Sequence, residues 1–224
     1  MDDIYNNLFL QAKQNFLKLG IPESELDSYI YDPTKHDINK EAYQDMQWCN
    51  NYILNGFDFS GQRGLCTYLC SMGSSAYTIA SKINMSFITI GKVLHNDKNI
   101  FKVPKKDVLI EKFIEEQKTT QDVQLGGRMH AWITLENGLI VDPSLYHTLY
   151  QDGTVLVERP LDMQTKFNLV YKPYVVTGMD DMTKVHKLIE SHEQNEQNIK
   201  KEVFKRYINN NYSELNYSDI TKKF

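Results

Sequence analysis

The chain has no long apolar run. Nothing in it approaches the roughly 18 consecutive apolar residues that a transmembrane helix needs, so no membrane partner is expected. It has little net charge. The 25 basic residues fall short of the 29 acidic ones, leaving −4 and no basic field to hold a phosphate backbone, so nucleic acid is not an expected partner. It has only three cysteines, Cys49, Cys66 and Cys70, an odd number that argues against a disulfide framework. It lacks the marks of a signal peptide: Asp2 and Asp3 stand where a basic region belongs, and Asn6, Asn7, Gln11 and Lys13 interrupt any apolar core. A reducing cytoplasm, which would keep a reactive thiol free, is the expected location, with export by a route that cleaves no signal left open.

What is present is the composition of a globular domain, 41% hydrophobic and 24% charged over 224 residues. That length allows one well-cored domain with an appendage. The expected division is a domain over residues 1–178, with N-terminal helices to 56 and a core over 57–178, followed by a helical C-terminal extension over 179–224. The extension is polar and rich in Asn and Lys, with thin apolar stripes suited to a protein partner or to self-association.

Periodicity organises the rest. Ile4, Leu8, Ala12, Phe16 and Leu19 recur at helical steps until Gly20 and Pro22 stop them. A second helix is expected over about 39–54, with Ala42, Met46, Cys49 and Ile53 on one face. Cys49 in that stripe reads as a packed core thiol. A small-residue run after Cys66 reads as a central buried helix, and Gly73 within it suggests close packing on a neighbour. Residues 86–94 read as a strand and 107–117 as a helix with Val108, Ile110, Phe113 and Ile114 on its apolar side. Residues 129–135 and 139–141 read as a hairpin about Glu136-Asn137-Gly138, with further antiparallel strands over 154–157 and 167–176. The fold class is therefore α+β.

Two stretches carry chemistry. Gln62-Arg63-Gly64-Leu65-Cys66 opens the small-residue helix, and Met129-His130-Ala131-Trp132 leads through the hairpin to Val141-Asp142-Pro143. Together they supply a thiol, an imidazole and a carboxylate, the set that nucleophilic thiol chemistry needs. A helix N-terminus favours a thiolate through its free N–H groups and its dipole. Gly64 lets backbone and substrate approach, and the Cys66 N–H with the Gln62 side chain would bind an oxyanion. Cys70, one turn on, has no free N–H groups beside it and reads as core. His147 lies past Pro143 in an expected loop; His95 sits in a strand-end turn. Cys66, Cys70, His130 and His147 match no standard structural zinc spacing, so no metal and no cofactor is expected.

Strand parity tests the pair. His130, Trp132 and Thr134 share one face of the first strand; if Ala131, Ile133 and Leu135 face the core, Asp142 must join the other set. A two-residue turn would send Asp142 to the wrong side. The hairpin loop must then hold an odd number of residues, three with Gly138 left-handed.

Arg-Gly-Leu-Cys before an apolar helix, then His-Ala-Trp, a short hairpin and Val-Asp-Pro-Ser, resembles the transglutaminase-like superfamily, the rearranged relative of papain-type cysteine peptidases. The resemblance covers about residues 61–144. It implies a Cys-bearing helix packed on an antiparallel sheet, with Cys66 as nucleophile, His130 as base, Asp142 as orienting acid and Trp132 as the tryptophan of the His motif. It implies acyl chemistry on a peptide or protein amide through a Cys thioester: a peptidase or deamidase if water resolves it, a transglutaminase if an amine does. An arylamine N-acetyltransferase uses a similar triad, but its Arg-Gly-Gly-x-Cys motif is not matched where Leu65 precedes the cysteine. A non-catalytic binding or scaffold module on the same fold is the alternative of another class. The loops over 94–106 and 118–128 are expected to wall the substrate cleft.

Overall fold

In the computed structural model of the chain the described residues are 2–18, 31–32, 38–56, 66–67, 69–70, 73–74, 77, 86–118, 129–150 and 154–177. Their elements run α1 (Asp2–Leu17), α2 (Lys40–Gly56), β1 (Ser86–His95), β2 (Lys98–Asn99), α3 (Lys106–Lys118), β3 (His130–Leu135), β4 (Ile140–Asp142), α4 (Leu145–Tyr150), β5 (Leu156–Glu158), α5 (Pro160–Phe167) and β6 (Leu169–Thr177). Between α2 and β1, residues 66–67, 69–70, 73–74 and 77 have helical backbone, the Cys66 segment. The chain is thus mixed α and β around an open antiparallel sheet. The C-terminal extension expected over 179–224 lies outside the described residues.

The six strands pair antiparallel throughout. β1 is central: β3 lies along one edge over its first half, β6 along the other, and β4 and β5 follow outward from β3. Its run of Phe, Ile, Thr, Ile and Val suits a strand buried on both faces. The register with β6 slips between Ile90 and Gly91, so Tyr174 is the extra residue of a bulge beside Pro173. The carbonyl of Tyr174 accepts a hydrogen bond from Asn15 Nδ2 of α1 at 2.9 Å.

Both faces of β3 and β4 are buried, so neither of these two strands leaves a face to solvent. The face bearing Trp132 and Ile140 packs with Phe87 and Val93 of β1, Tyr171 of β6, and Tyr5, Phe9 and Ala12 of α1. This corrects the stripe expected for α1. Ala12 is buried as expected, but Ile4 is 61% exposed and Leu8 half-buried, and the rest of the buried line is Tyr5, Phe9 and Asn15. The reason is polar as much as apolar. The Tyr5 hydroxyl accepts the Trp132 indole N–H at 2.9 Å and pairs with Thr134 Oγ1 at 2.7 Å, and Thr134 pairs in turn with Thr89 Oγ1 at 2.8 Å. A hydropathy stripe ranks Ile above Tyr; the buried face needs a hydroxyl to meet two polar side chains.

Two further corrections follow. In α3 Leu109 and Ile110 are buried and Val108 is 42% exposed. His147, expected in a loop, lies on α4, because Asp142 and Ser144 supply the hydrogen bonds that start a helix. α2 begins as expected: Asn39 Oδ1 accepts the Ala42 N–H at 2.8 Å as its N-cap. Ala42, Met46 and Cys49 are buried along it. Among the described residues no helix is long and apolar enough to cross a membrane.

Candidate active site: a buried carboxylate–imidazole pair beside Cys66

The hairpin sets the geometry. Ile133 pairs with Val141 and Thr134 with Ile140, which leaves three loop residues, 136–138. Gly138 sits at φ 83°, a left-handed conformation that costs glycine little, and its N–H donates to the Leu135 carbonyl at 2.9 Å. One more step along this register sets Asp142 across from Trp132, with His130 two residues back on the same face. The odd-numbered loop inferred from parity is the loop observed.

His130 Nε2–H donates to Asp142 Oδ2 at 2.6 Å, and both side chains are buried. Tyr171 of β6 donates its hydroxyl to the same oxygen at 2.8 Å. The other oxygen, Oδ1, accepts the N–H of Ser144 at 3.1 Å, its hydroxyl at 3.3 Å and the N–H of Leu145 at 3.0 Å. Asp142-Pro143-Ser144 is therefore both a turn that starts α4 and the anchor of an imidazole.

Burial opposes charge on both partners, and the pair overcomes it. Burial pulls the His130 pKa down, but the Asp142 charge and hydrogen bond, aided by Cys66, push it up to about 10. Burial pulls the Asp142 carboxyl up, but the His130 charge and hydrogen bond, then Tyr171 and the Ser144 amide, hold it below the ordinary carboxylate range. Carboxylate and imidazolium therefore persist together at neutral pH.

With Nε2 committed to Asp142, Nδ1 is the ring atom left for chemistry. It is buried, and no described residue lies in hydrogen-bonding geometry to it. Cys66 lies on helical backbone and is 8% exposed. Its Sγ contacts the Met129 carbonyl, one residue before His130, at 3.9 Å. Cys66 is close enough to raise the His130 pKa through both hydrogen bonding and charge, while its thiol also faces that carbonyl. Cys70 is wholly buried, and burial first, then the Asp142 and Cys66 charges, push its thiol well above the ordinary range. It stays protonated, as suits a core residue. Cys49 is pushed up to about 12, by burial and then by Asp45.

Trp132 is buried with its ring 6.1 Å from the imidazole and edge-on to Tyr171 at 5.1 Å. Gln62 and Gly64, the expected oxyanion-side residues, lie outside the described residues, as does the loop over 119–128. His147 sits on α4, and Cys66, Cys70, His130 and His147 do not gather: among the described residues no three His, Cys, Asp or Glu side chains form a group that could hold a metal ion.

Four supporting residues escaped the sequence reading. Tyr171 was visible as one of the alternating buried positions of its strand, but not which polar atom it would meet. Asn50 of α2 donates to the Pro143 carbonyl at 3.0 Å and accepts the Tyr77 hydroxyl at 3.2 Å, tying the Cys66 segment to the Asp142 turn. A Cβ at Gly73 would strike the Tyr77 ring, so its expected close neighbour is one turn along its own segment. Gly91 stands opposite His130 in the sheet, where a Cβ would meet the Lys172 carbonyl and come within 2.8 Å of the Trp132 ring. Phe101, from the loop after β2, lies flat on the imidazole of His130. In comparisons with known proteins, no family model matches the chain, and no curated protein and no solved structure matches it significantly.

Proposed function

We propose that this chain is a thiol acyl-transfer enzyme of the transglutaminase-like, papain-related type, acting on amide bonds with Cys66 as nucleophile, His130 as base and Asp142 as its orienting acid. The observation that carries the reading is the state of His130. Its Nε2–H is fixed on Asp142, and its buried Nδ1 has no partner among the described residues while Cys66 lies next to it. A buried polar atom without a partner costs free energy, and such atoms cluster where chemistry uses them.

The mechanism follows from that placement. In the reacting state the Cys66 proton already sits on Nδ1, a thiolate beside an imidazolium that Asp142 stabilises. The sulfur attacks the amide carbonyl carbon, and the carbonyl π pair moves to oxygen. As the tetrahedral intermediate collapses, the C–N bond breaks and the Nδ1 proton passes to the leaving amine. The resulting thioester is resolved by water or by an amine; His130, neutral once that proton has left, takes the proton of the nucleophile and keeps it as sulfur departs as the thiolate. Water makes the enzyme a peptidase or deamidase, an amine a transglutaminase. Trp132, with Tyr171 edge-on against it, lies beside the imidazole and helps keep its bond to Asp142 dry.

The low exposure of Cys66, 8%, favours the scaffold reading as the alternative. Alkylation separates the two. Iodoacetamide at pH 6, read by peptide mass mapping, is expected to label Cys66 in the wild-type chain and not in a His130→Ala variant. Labelling that needs a pH above about 8 in both chains, the range of an ordinary cysteine, would sink the enzyme reading.

A further inference from the structure

We propose that Phe101 is a positioning residue for His130, an aromatic cap held by a side-chain clamp, which fixes the imidazole plane and keeps water from the His130–Asp142 bond. The proposal rests on the reading of His130 as the base, and it concerns a loop that the reading does not otherwise use.

The loop is closed by one residue. Asn99, the last of β2, brackets Val103 with both ends of its amide: Nδ2 donates to the Val103 carbonyl at 2.8 Å, and Oδ1 accepts the Val103 N–H at 3.1 Å. Lys102 takes φ 51°, the left-handed turn that lets so short a loop close. Val103 is buried and seats the far end. Phe101 is thereby carried to the tip, with no freedom to swing away unless the clamp opens.

What it meets there is the imidazole. The ring centroids of Phe101 and His130 are 4.1 Å apart and the planes differ by 4°, a full face-to-face contact. Two consequences follow. An imidazole covered on one face by a flat ring cannot rotate about its Cβ–Cγ bond, so Nε2 stays on Asp142 and Nδ1 keeps its direction. A phenyl face beside an imidazolium also favours the cation where water is excluded. His130 is wholly buried while Phe101 is half-buried, so Phe101 is a partner of the ring that itself reaches solvent. Removing its side chain opens the imidazole to water without touching Cys66 or Asp142. That makes Phe101 a positioning residue and not a catalytic one.

The test uses the full chain labelled with 15N and reads the His130 Nε2–H by NMR, together with Cys66 alkylation by iodoacetamide at pH 6. The wild-type ring N–H is expected to exchange slowly with water. Phe101→Ala is expected to speed that exchange by about tenfold or more, and to lower alkylation at pH 6 towards the His130→Ala rate. Phe101→Tyr, which keeps the flat face, is expected to restore both. Asn99→Ala releases the clamp without altering either ring and is expected to match Phe101→Ala; it carries the test if Phe101→Ala does not fold. Unchanged exchange in folded Phe101→Ala or Asn99→Ala overturns the proposal, because a merely structural loop residue would move the melting temperature and leave the ring proton alone. The two readouts also separate the two readings. A wild-type Cys66 inert at pH 6 defeats the acyl-transfer reading, while the exchange of the His130 proton still decides the role of Phe101.

Discussion

His130 and Tyr171 donate to one and the same oxygen, Oδ2 of Asp142, at 2.6 and 2.8 Å. They come from β3 and β6, which lie on opposite edges of β1, so the sheet itself brings the two donors together. With Ser144 and Leu145 on Oδ1, the carboxylate is ringed by donors in a place that water does not reach. Such a site is built for an anion.

Removing one donor should therefore show in both stability and titration. Tyr171→Phe keeps the ring against Trp132 and deletes only the hydroxyl. It is expected to cost about 2 kcal/mol in urea unfolding, the range of a hydrogen bond to a charged group. The Asp142 carboxyl, followed by side-chain 13C NMR, is expected to move up towards the ordinary carboxylate range. A variant with unchanged stability and unchanged titration would show that the Tyr171 bond contributes nothing.

The pair also sets a pH dependence of known sign. Asp142 is held below its ordinary value of 3.8, so its contribution is present above that pH and fades as pH falls through the lowered value. His130 is raised from 6.5 to about 10, so its contribution is complete below pH 6.5 and fades as pH rises towards 10. Both act fully between about pH 4 and 6.5. Asp142→Asn, which leaves His130 buried without its counter-charge, is expected to lose about 3–5 kcal/mol in that window. Melting curves of both chains from pH 4 to 10 should show the gap narrowing steadily above pH 6.5. A gap that widens with pH above 7 contradicts the charged-pair description.

Gly91 is a test of packing and not of charge. A methyl group there meets the Lys172 carbonyl of β6 and, at 2.8 Å, the Trp132 ring. The backbone contact cannot yield cheaply, because Pro173 and the bulge at Tyr174 already set the path of β6. Gly91→Ala is expected to cost about 1–3 kcal/mol, as overpacking does, and to change the near-ultraviolet circular dichroism of Trp132. Wild-type stability with an unaltered aromatic spectrum would mean that β6 shifts freely.

How far these relationships were legible follows from their range along the chain. The His130–Asp142 pair spans twelve residues within one hairpin, and side-chain alternation plus a count of loop residues reaches that far. Cys66 was legible as a helical thiol among small residues, but its nearness to His130 is a matter of how the segment docks. Tyr171 and Asn50 belong to the same class: their partners lie 29 and 93 residues away, and no local period encodes which polar atom they meet. The α1 stripe was misplaced in part for a related reason. Tyr5 is buried to satisfy Trp132 and Thr134, about 130 residues downstream, and hydropathy does not record an unmet indole N–H. Phe101 sits in a loop expected to wall the cleft; its position was readable and its contact was not.

Asn50 offers the sharpest test of how the Cys66 segment is docked. Its amide receives the Tyr77 hydroxyl at 3.2 Å and donates to the Pro143 carbonyl at 3.0 Å, so one side chain of α2 joins the thiol-bearing segment to the residue after Asp142. Asn50→Ala deletes both bonds inside the protein, at an expected cost of about 1–3 kcal/mol. The more telling measurement is a double-mutant cycle with Tyr77→Phe. If Tyr77 and Pro143 are held through Asn50, the two losses overlap, and the double variant is expected to lose less than the sum by about 0.5–3 kcal/mol. The same variants should slow Cys66 alkylation at pH 6, because the thiol is then free to drift from His130. They should leave the pH dependence of the His130–Asp142 pair in place, because its own donors remain. Strict additivity, or alkylation that stays at the wild-type rate, would place the docking of the Cys66 segment on contacts other than Asn50.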